Sequence, residues 1–181
     1  MREDTRTRIQ EIALRLFIEQ GYEATSLREI AEELGVTKAA LYYHFKTKDD
    51  IVASLVEKRQ VQVEELLAWL KTQPKTPETR RELVLRYADM VPGSEHSDVA
   101  QFLERNQTAL RDHPTLVRIR EVMMELVGEL TSPGDPLETR VSRSMALFAL
   151  HASKWFPRNE DLAEAEVRDA AVKVALRLLE P

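Results

Sequence analysis

Hydrophobic residues recur at helical spacing along almost the whole chain, with polar residues between them. The first such run predicts a helix over residues 5–20, with these apolar residues on one face: Ile9, Ile12, Ala13, Leu16 and Phe17. No stretch alternates apolar and polar residues convincingly at the period of two that a half-buried strand requires. The pattern therefore predicts an all-α protein of about nine helices.

Residues 26–48 predict a helix, a tight turn and a second, short helix. Ser26 and Glu29 have the spacing of a capping box, in which each side chain satisfies a free amide at the start of a helix. Gly35 can adopt the positive φ at which a helix ends. Thr37 is a good N-cap for the helix that follows. This stretch therefore predicts a helix-turn-helix unit.

The short helix after Thr37 has two different faces. Leu41 and Phe45 are four residues apart, so they share a face that we assign to the core. The opposite and flanking positions hold an alanine, two tyrosines and a histidine: Ala39, Tyr43, Tyr42 and His44. A short helix that exposes such aromatic groups is typical of a surface that binds a partner.

The run from Thr25 to Asp50 resembles the DNA-binding signature of the tetracycline-repressor (TetR) family of bacterial transcriptional regulators, and L-Y-Y-H-F-x-x-K is its most specific part. The resemblance covers residues 6–55, under a third of the chain. It implies that the short third helix enters the major groove while the second helix crosses the DNA backbone. The implied DNA contacts at matching positions are Arg28, Thr37, Lys38, Ala39, Tyr42, Tyr43, His44 and Lys48.

The charge distribution is compatible with DNA binding, although the net charge is −5. Residues 1–48 hold eight basic and eight acidic residues, so the acidic excess lies entirely in residues 49–181. Between Gly35 and Lys48 there are three lysines and no acid. We therefore expect a locally positive contact surface on a protein that is acidic elsewhere.

Nothing in the sequence predicts catalysis. The four histidines are scattered, with no H-E-x-x-H pair for a metal. The five glycines form neither a G-x-G-x-x-G run nor a phosphate-binding loop. We therefore expect no enzyme activity, no metal and no cofactor.

The sequence predicts a cytoplasmic protein. The chain has no cysteine, as suits a reducing compartment. Its N-terminus is charged from Arg2 to Arg8 and lacks the apolar stretch of a signal peptide. The longest uncharged run, Ser144 to Ser153, is too short to span a bilayer.

A long fourth helix is predicted to begin at Thr47, which forms a second capping-box-like pair with Asp50, and to stop before Pro74. Such a helix is about 40 Å long, enough to join two domains. We therefore expect a helix-turn-helix DNA-binding domain over residues 1–46 and a helical effector-binding and dimerisation domain over residues 47–181.

Five further helices are predicted in the second domain, over residues 79–90, 98–110, 115–130, 137–156 and 160–179. Within the penultimate helix, residues 144–153 carry no charge, so this helix needs cover on two sides. The last helix carries a stripe of small and branched residues suited to close packing. Two such helices from each of two subunits would form a four-helix bundle, which predicts a homodimer. Completion of a monomer core remains the alternative.

The resemblance also implies that helices 4 to 8 enclose a small-molecule site. Occupancy of this site pivots helix 4 and changes the spacing of the two DNA-binding domains in the dimer. The candidate lining residues are Trp69, Tyr87, Met90, Phe102, Arg105, Asn106, Met123, Met124, Phe148, His151 and Trp155. This mostly apolar set favours a hydrophobic or aromatic effector. Aromatic and methionine residues at helical spacing are also ordinary core residues, so plain core packing stays open. A constitutive DNA-binding or architectural protein without an effector is the alternative function.

Overall fold

The computed structural model describes residues 2–91, 98–152 and 163–180, and the regular elements in these ranges are α-helices, with no β-strand. The helices are α1 (Arg2–Glu19), α2 (Leu27–Leu34), α3 (Lys38–His44), α4 (Lys48–Lys71), α5 (Pro77–Met90), α6 (Asp98–Arg105), α7 (Pro114–Glu129), α8 (Leu137–Ala149) and α9 (Glu164–Arg177). The all-α prediction is confirmed. None of these helices is long and apolar enough to cross a membrane.

Most predicted helix boundaries agree with the structure to within a few residues, but α6 is shorter than predicted. It ends at Arg105 rather than Leu110. The Asn106 side chain donates Nδ2–H to the carbonyl of Phe102 at 2.9 Å, and such local side-chain bonds compete with helix propagation. The predicted extension of α8 to Phe156 and the predicted start of α9 at residue 160 lie outside the described residues.

The chain divides into two compact units. The first unit comprises Met1–Val61 and His96–Ile119, so it contains α1 to α3, the first half of α4, α6 and the start of α7. Its core is closed by these buried side chains, among others: Phe17, Ile30, Leu41, Phe45, Ile51, Phe102 and Leu110. The first unit therefore includes α6, which lies beyond the predicted domain boundary between residues 46 and 47. That boundary divides the chain by function and stays a prediction.

The second unit comprises Gln62–Glu95 and Arg120–Pro181. Within it, α8 is joined to the end of α9 by polar contacts. Ser142 donates its hydroxyl to the carbonyl of Leu178 at 2.9 Å. The buried Arg143 donates Nε–H to the carbonyl of Leu179 at 3.1 Å and Nη1–H to Asp135 Oδ2 at 2.8 Å. Because the last carbonyls of a helix have no partner within the helix, these bonds both cap α9 and hold it to α8.

Candidate nucleic-acid interface

The turn between α2 and α3 is built as the sequence predicts. Ser26 Oγ accepts the amide of Glu29 at 3.2 Å, and the Glu29 carboxylate accepts the amide of Ser26 at 2.7 Å. At the other end of α2, Gly35 has φ +72°, and the amide of Val36 donates to the carbonyl of Ala31 at 3.0 Å. This is the left-handed stop that glycine makes without strain.

Helix α3 presents one face to the core and the other to solvent. Thr37 caps it by accepting the amide of Ala40 at 3.2 Å. Leu41 and Phe45 are buried, as predicted, whereas Tyr43 is 64% exposed and Ala39 is exposed beside it. The predicted orientation of this helix is therefore confirmed.

The residues flanking that face are arranged around Tyr42. Tyr42 is half-buried and packs on the core, while Lys38 Nζ lies 5.3 Å from the centre of its ring. Lys46 donates Nζ–H to the Tyr42 carbonyl near the end of α3, where a cation is favoured by the helix dipole. His44 is half-buried, with its ring perpendicular to that of Tyr43 and 5.3 Å away.

Arg6 adds a further positive charge near α3. Its guanidinium lies 5.1 Å from the centre of the Phe45 ring, so the first helix carries it to the end of α3. No sequence pattern links residues 6 and 45, because the contact depends on the packing of α1. The positive side chains near α3 therefore include Arg6, Lys38 and Lys46.

Lys48 is engaged within the protein rather than extended into solvent. Its Nζ donates to the carbonyls of Tyr22 at 2.6 Å and Glu23 at 3.2 Å and lies 4.5 Å from the centre of the Tyr22 ring. Burial lowers the pKa of Lys48 from its ordinary value. The helix dipole disfavours a lysine at a helix N-terminus, and these carbonyls stabilise Lys48 there. A phosphate contact by Lys48 stays a prediction.

Arg28 is also paired in the free protein. Its Nε lies 2.7 Å from Glu32 Oε1, one helical turn away on α2, and both side chains are exposed. This hydrogen bond raises the pKa of Arg28 above its ordinary value. A DNA contact by Arg28, which stays a prediction, must therefore compete with Glu32.

The α6–α7 connection completes the first unit around Tyr22. The buried Asn106 side chain accepts the amide of Tyr22 at 2.9 Å, and Tyr22 donates its hydroxyl to Asp49. His113 Nε2 lies 3.1 Å from the carbonyl of Asp49. Burial, followed by the bond to Asp49, raises the pKa of Tyr22. Residues of the α6–α7 connection thus hold the α1–α2 loop and the start of α4 in place, which the sequence did not predict.

Three of the predicted effector residues lie in this first unit. Phe102 stacks on Phe17 with ring centres 5.2 Å apart, Asn106 holds the Tyr22 amide, and Arg105 donates to the carbonyl of Ile18 at 3.2 Å. Each therefore has a packing role against α1 or the loop that follows it. Their assignment to an effector site stays a prediction.

Two further predicted effector residues face solvent. Met124 is 65% exposed and Phe148 is 54% exposed, because the buried faces of α7 and α8 are occupied by Val122 and Leu126 and by Ala146 and Leu147. Their assignment to an effector site stays a prediction. Trp155 lies outside the described residues.

The other effector candidates lie in the second unit. Tyr87 is buried and its hydroxyl is 2.9 Å from His151 Nε2. Trp69, Met90 and Met123 are half-buried, and Arg86 stacks over the Trp69 ring at 4.1 Å. Two of the predicted residues, Tyr87 and His151, are thus brought together.

Among the described residues, no group of three or more histidine, aspartate and glutamate side chains could hold a metal ion. The interface instead consists of an exposed aromatic and basic helix on a rigid turn. This arrangement defines a DNA-binding domain of the helix-turn-helix class.

Comparison with known proteins finds a similarity in sequence that covers the helix-turn-helix. A sequence model described as bacterial regulatory proteins, tetR family, matches residues 9–55. The HTH-type transcriptional regulator AcrR of Shigella flexneri is 45% identical over 64 residues, which are 35% of this chain and 30% of AcrR. Over residues 9–55 the chain is therefore similar to the tetR family of bacterial regulatory proteins.

Solved structures extend the likeness to the whole fold. AmtR of Mycobacterium smegmatis is 26% identical with a TM-score of 0.62, over 94% of this chain and 84% of AmtR. AibR in complex with isovaleryl coenzyme A and operator DNA is 23% identical with a TM-score of 0.57, over 92% of this chain and 95% of AibR. In sequence, by contrast, the chain spans less than a third of the length of the curated relatives it matches.

Proposed function

We propose that this chain is a transcriptional repressor that binds a palindromic operator as a homodimer and is released by a small, hydrophobic or aromatic effector. The observation that carries the proposal is the exposed face of α3, on which Tyr43 and Ala39 lie opposite the buried Leu41 and Phe45. An apolar residue and an aromatic ring beside lysines suit a groove lined by bases and phosphates.

In the proposed complex α3 enters the major groove and α2 crosses the backbone. Lys38, Ala39, Tyr43 and His44 contact base edges, where lysine can reach guanine and the methyl group of alanine can touch that of thymine. Phosphate contacts are assigned to these residues, which flank α3 or begin the neighbouring helices: Arg28, Thr37, Tyr42 and Lys48.

Exposed apolar residues on α8 support dimerisation through the last two helices. They recur at helical spacing and therefore lie along one side of the helix: Leu137, Val141, Met145 and Phe148. Val174 on α9 is exposed as well. A contiguous apolar stripe of this kind is typical of a surface that is covered in the assembly. A two-fold dimer would place half-sites about 34–36 Å apart, or a multiple of that distance.

The effector site is proposed for the second unit. Tyr87 and His151 supply a hydrogen-bonding pair, and the half-buried Trp69, Met90 and Met123 supply apolar surface. Binding shifts the equilibrium only by the difference in effector affinity between the DNA-binding and released states. AibR offers one example of this fold in complex with both isovaleryl coenzyme A and operator DNA.

Selection of duplexes from a random library with the full chain tests the DNA-binding proposal. We expect the recovered sequences to share a palindrome. Selection with Tyr43→Ala should recover a different or weaker consensus, whereas Met124→Ala, which changes an equally exposed residue on α7, should recover the wild-type one. Recovery of no common sequence by the wild-type chain would contradict operator recognition.

A ligand screen against the selected duplex tests the effector. We expect an apolar compound to release the wild-type protein but to release His151→Ala less readily. If no compound releases the protein from its duplex, a constitutive DNA-binding protein becomes the better account.

A further inference from the structure

The ion pair between Arg28 and Glu32 is oriented against the dipole of α2. Arg28 lies in the first turn, where the helix N-terminus favours anions, and Glu32 lies in the last turn, where cations are favoured. An acid placed before its basic partner stabilises a helix better than this reversed order. Helix stability therefore does not account for the positions of the two charges.

A place for Arg28 near DNA accounts for the arrangement, since a cation at the start of α2 would meet phosphate. Glu32 then acts on the same guanidinium from the same helix, with Arg28 Nε 2.7 Å from Glu32 Oε1. We infer that Glu32 limits the affinity of the helix-turn-helix domain for DNA, because it occupies Arg28 in the free protein and repels the phosphates in the complex. This inference rests on the proposed function.

The physical basis is a competition for one cation. When Arg28 binds a DNA phosphate, Glu32 loses its partner. The Glu32 carboxylate then remains close to the DNA backbone. Neutralising Glu32 removes both the competition for Arg28 and the repulsion between the carboxylate and the phosphates. Because an exposed pair one turn apart is a weak interaction, the gain should be modest, about two- to fivefold in Kd. The freed cation should also steepen the salt dependence of binding by about one unit of slope.

Glu33 provides a matched control on the same helix. Its Oε1 lies 2.6 Å from Arg15 Nη2, and its side chain is 52% exposed, compared with 61% for Glu32. Its partner Arg15 belongs to α1 and is none of the proposed DNA contacts. Glu33→Gln therefore removes the same charge from the same helix without releasing Arg28.

The test measures binding of the full-length chain to the duplex recovered by selection, across a range of salt concentrations. Five proteins are compared: wild type, Glu32→Gln, Glu33→Gln, Arg28→Ala and the double variant Arg28→Ala/Glu32→Gln, which completes a cycle. Glutamine has nearly the helix propensity of glutamate, so melting curves should be unchanged for both single glutamine variants. Glu32→Gln should bind about two- to fivefold more tightly, Glu33→Gln should bind less tightly than Glu32→Gln, and the gain should shrink when Arg28 is absent.

Two outcomes would overturn the inference, and they are distinguishable. If the wild-type chain binds the duplex and Glu32→Gln binds no more tightly than Glu33→Gln, or gains as much without Arg28, Glu32 does not limit affinity by holding Arg28. If the wild-type chain binds no duplex at all, the proposed function fails and this inference fails with it.

Discussion

Replacing Asn106 by alanine should weaken the first unit. The side chain is buried, accepts the Tyr22 amide at 2.9 Å and donates to the Phe102 carbonyl at 2.9 Å. Phe102 keeps its backbone bond from residue 106 at 3.1 Å, whereas the Tyr22 amide is left buried without this acceptor. An unsatisfied buried amide costs about 1–3 kcal/mol, which corresponds to a fall in Tm of roughly 3–10 °C for a chain of this size.

Thermal unfolding of the full chain measures this loss, with Gln107→Ala as the control because Gln107 is adjacent and exposed. The loop held by Asn106 leads into α2, so Asn106→Ala should also weaken DNA binding while Gln107→Ala leaves it unchanged. If Asn106→Ala melts within 1 °C of the wild type and binds DNA equally well, α6 does not support the helix-turn-helix in the way these contacts indicate.

Three further changes have defined outcomes. Gly35→Ala should lower the free energy of unfolding by about 1 kcal/mol in denaturant titrations, because alanine disfavours the φ of +72° at this position. An added Cβ would meet no atom of a non-adjacent residue within 4 Å, so backbone strain is the whole effect. Phe148→Ser should raise the dimer Kd roughly tenfold in sedimentation experiments, with little change in the fold of a single chain. The Ser132 amide, with Arg143, lowers the pKa of Asp135, so its stabilising contribution is present above the unfolded pKa and lost as pH falls through the folded pKa. Unfolding at pH 7 and pH 3 should therefore show a larger acid-induced loss for the wild type than for Asp135→Asn.

Much of the helix-turn-helix could be predicted because its determinants are local. Ser26, Glu29, Gly35 and Thr37 act on residues within one turn of themselves, so their spacing alone predicts the start and end of each helix. The faces of α3 follow from the helical period in the same way. The role of Asn106 could not be predicted, because its partner Tyr22 is 84 residues away and no periodic pattern records that contact.

Composition was a weaker guide to burial. An uncharged stretch such as residues 144–153 indicates that α8 needs cover, but it does not distinguish the side packed in its own chain from the side left open. Phe148 lies on the side that its own chain leaves uncovered. Lys48 shows a related limit of the sequence analysis. Its position is explained by two carbonyl partners that come close to it only when the loop is folded.

Photo-crosslinking tests the central claim most directly, namely that the exposed side of α3 lies against DNA. Benzoylphenylalanine is introduced in place of Tyr43 in one protein and in place of Met124 in another, since the two residues are 64% and 65% exposed. We expect irradiation with the selected duplex to join DNA to the protein substituted at Tyr43 and not to the protein substituted at Met124. Equal crosslinking at the two positions, or crosslinking at Met124 alone, would contradict the account.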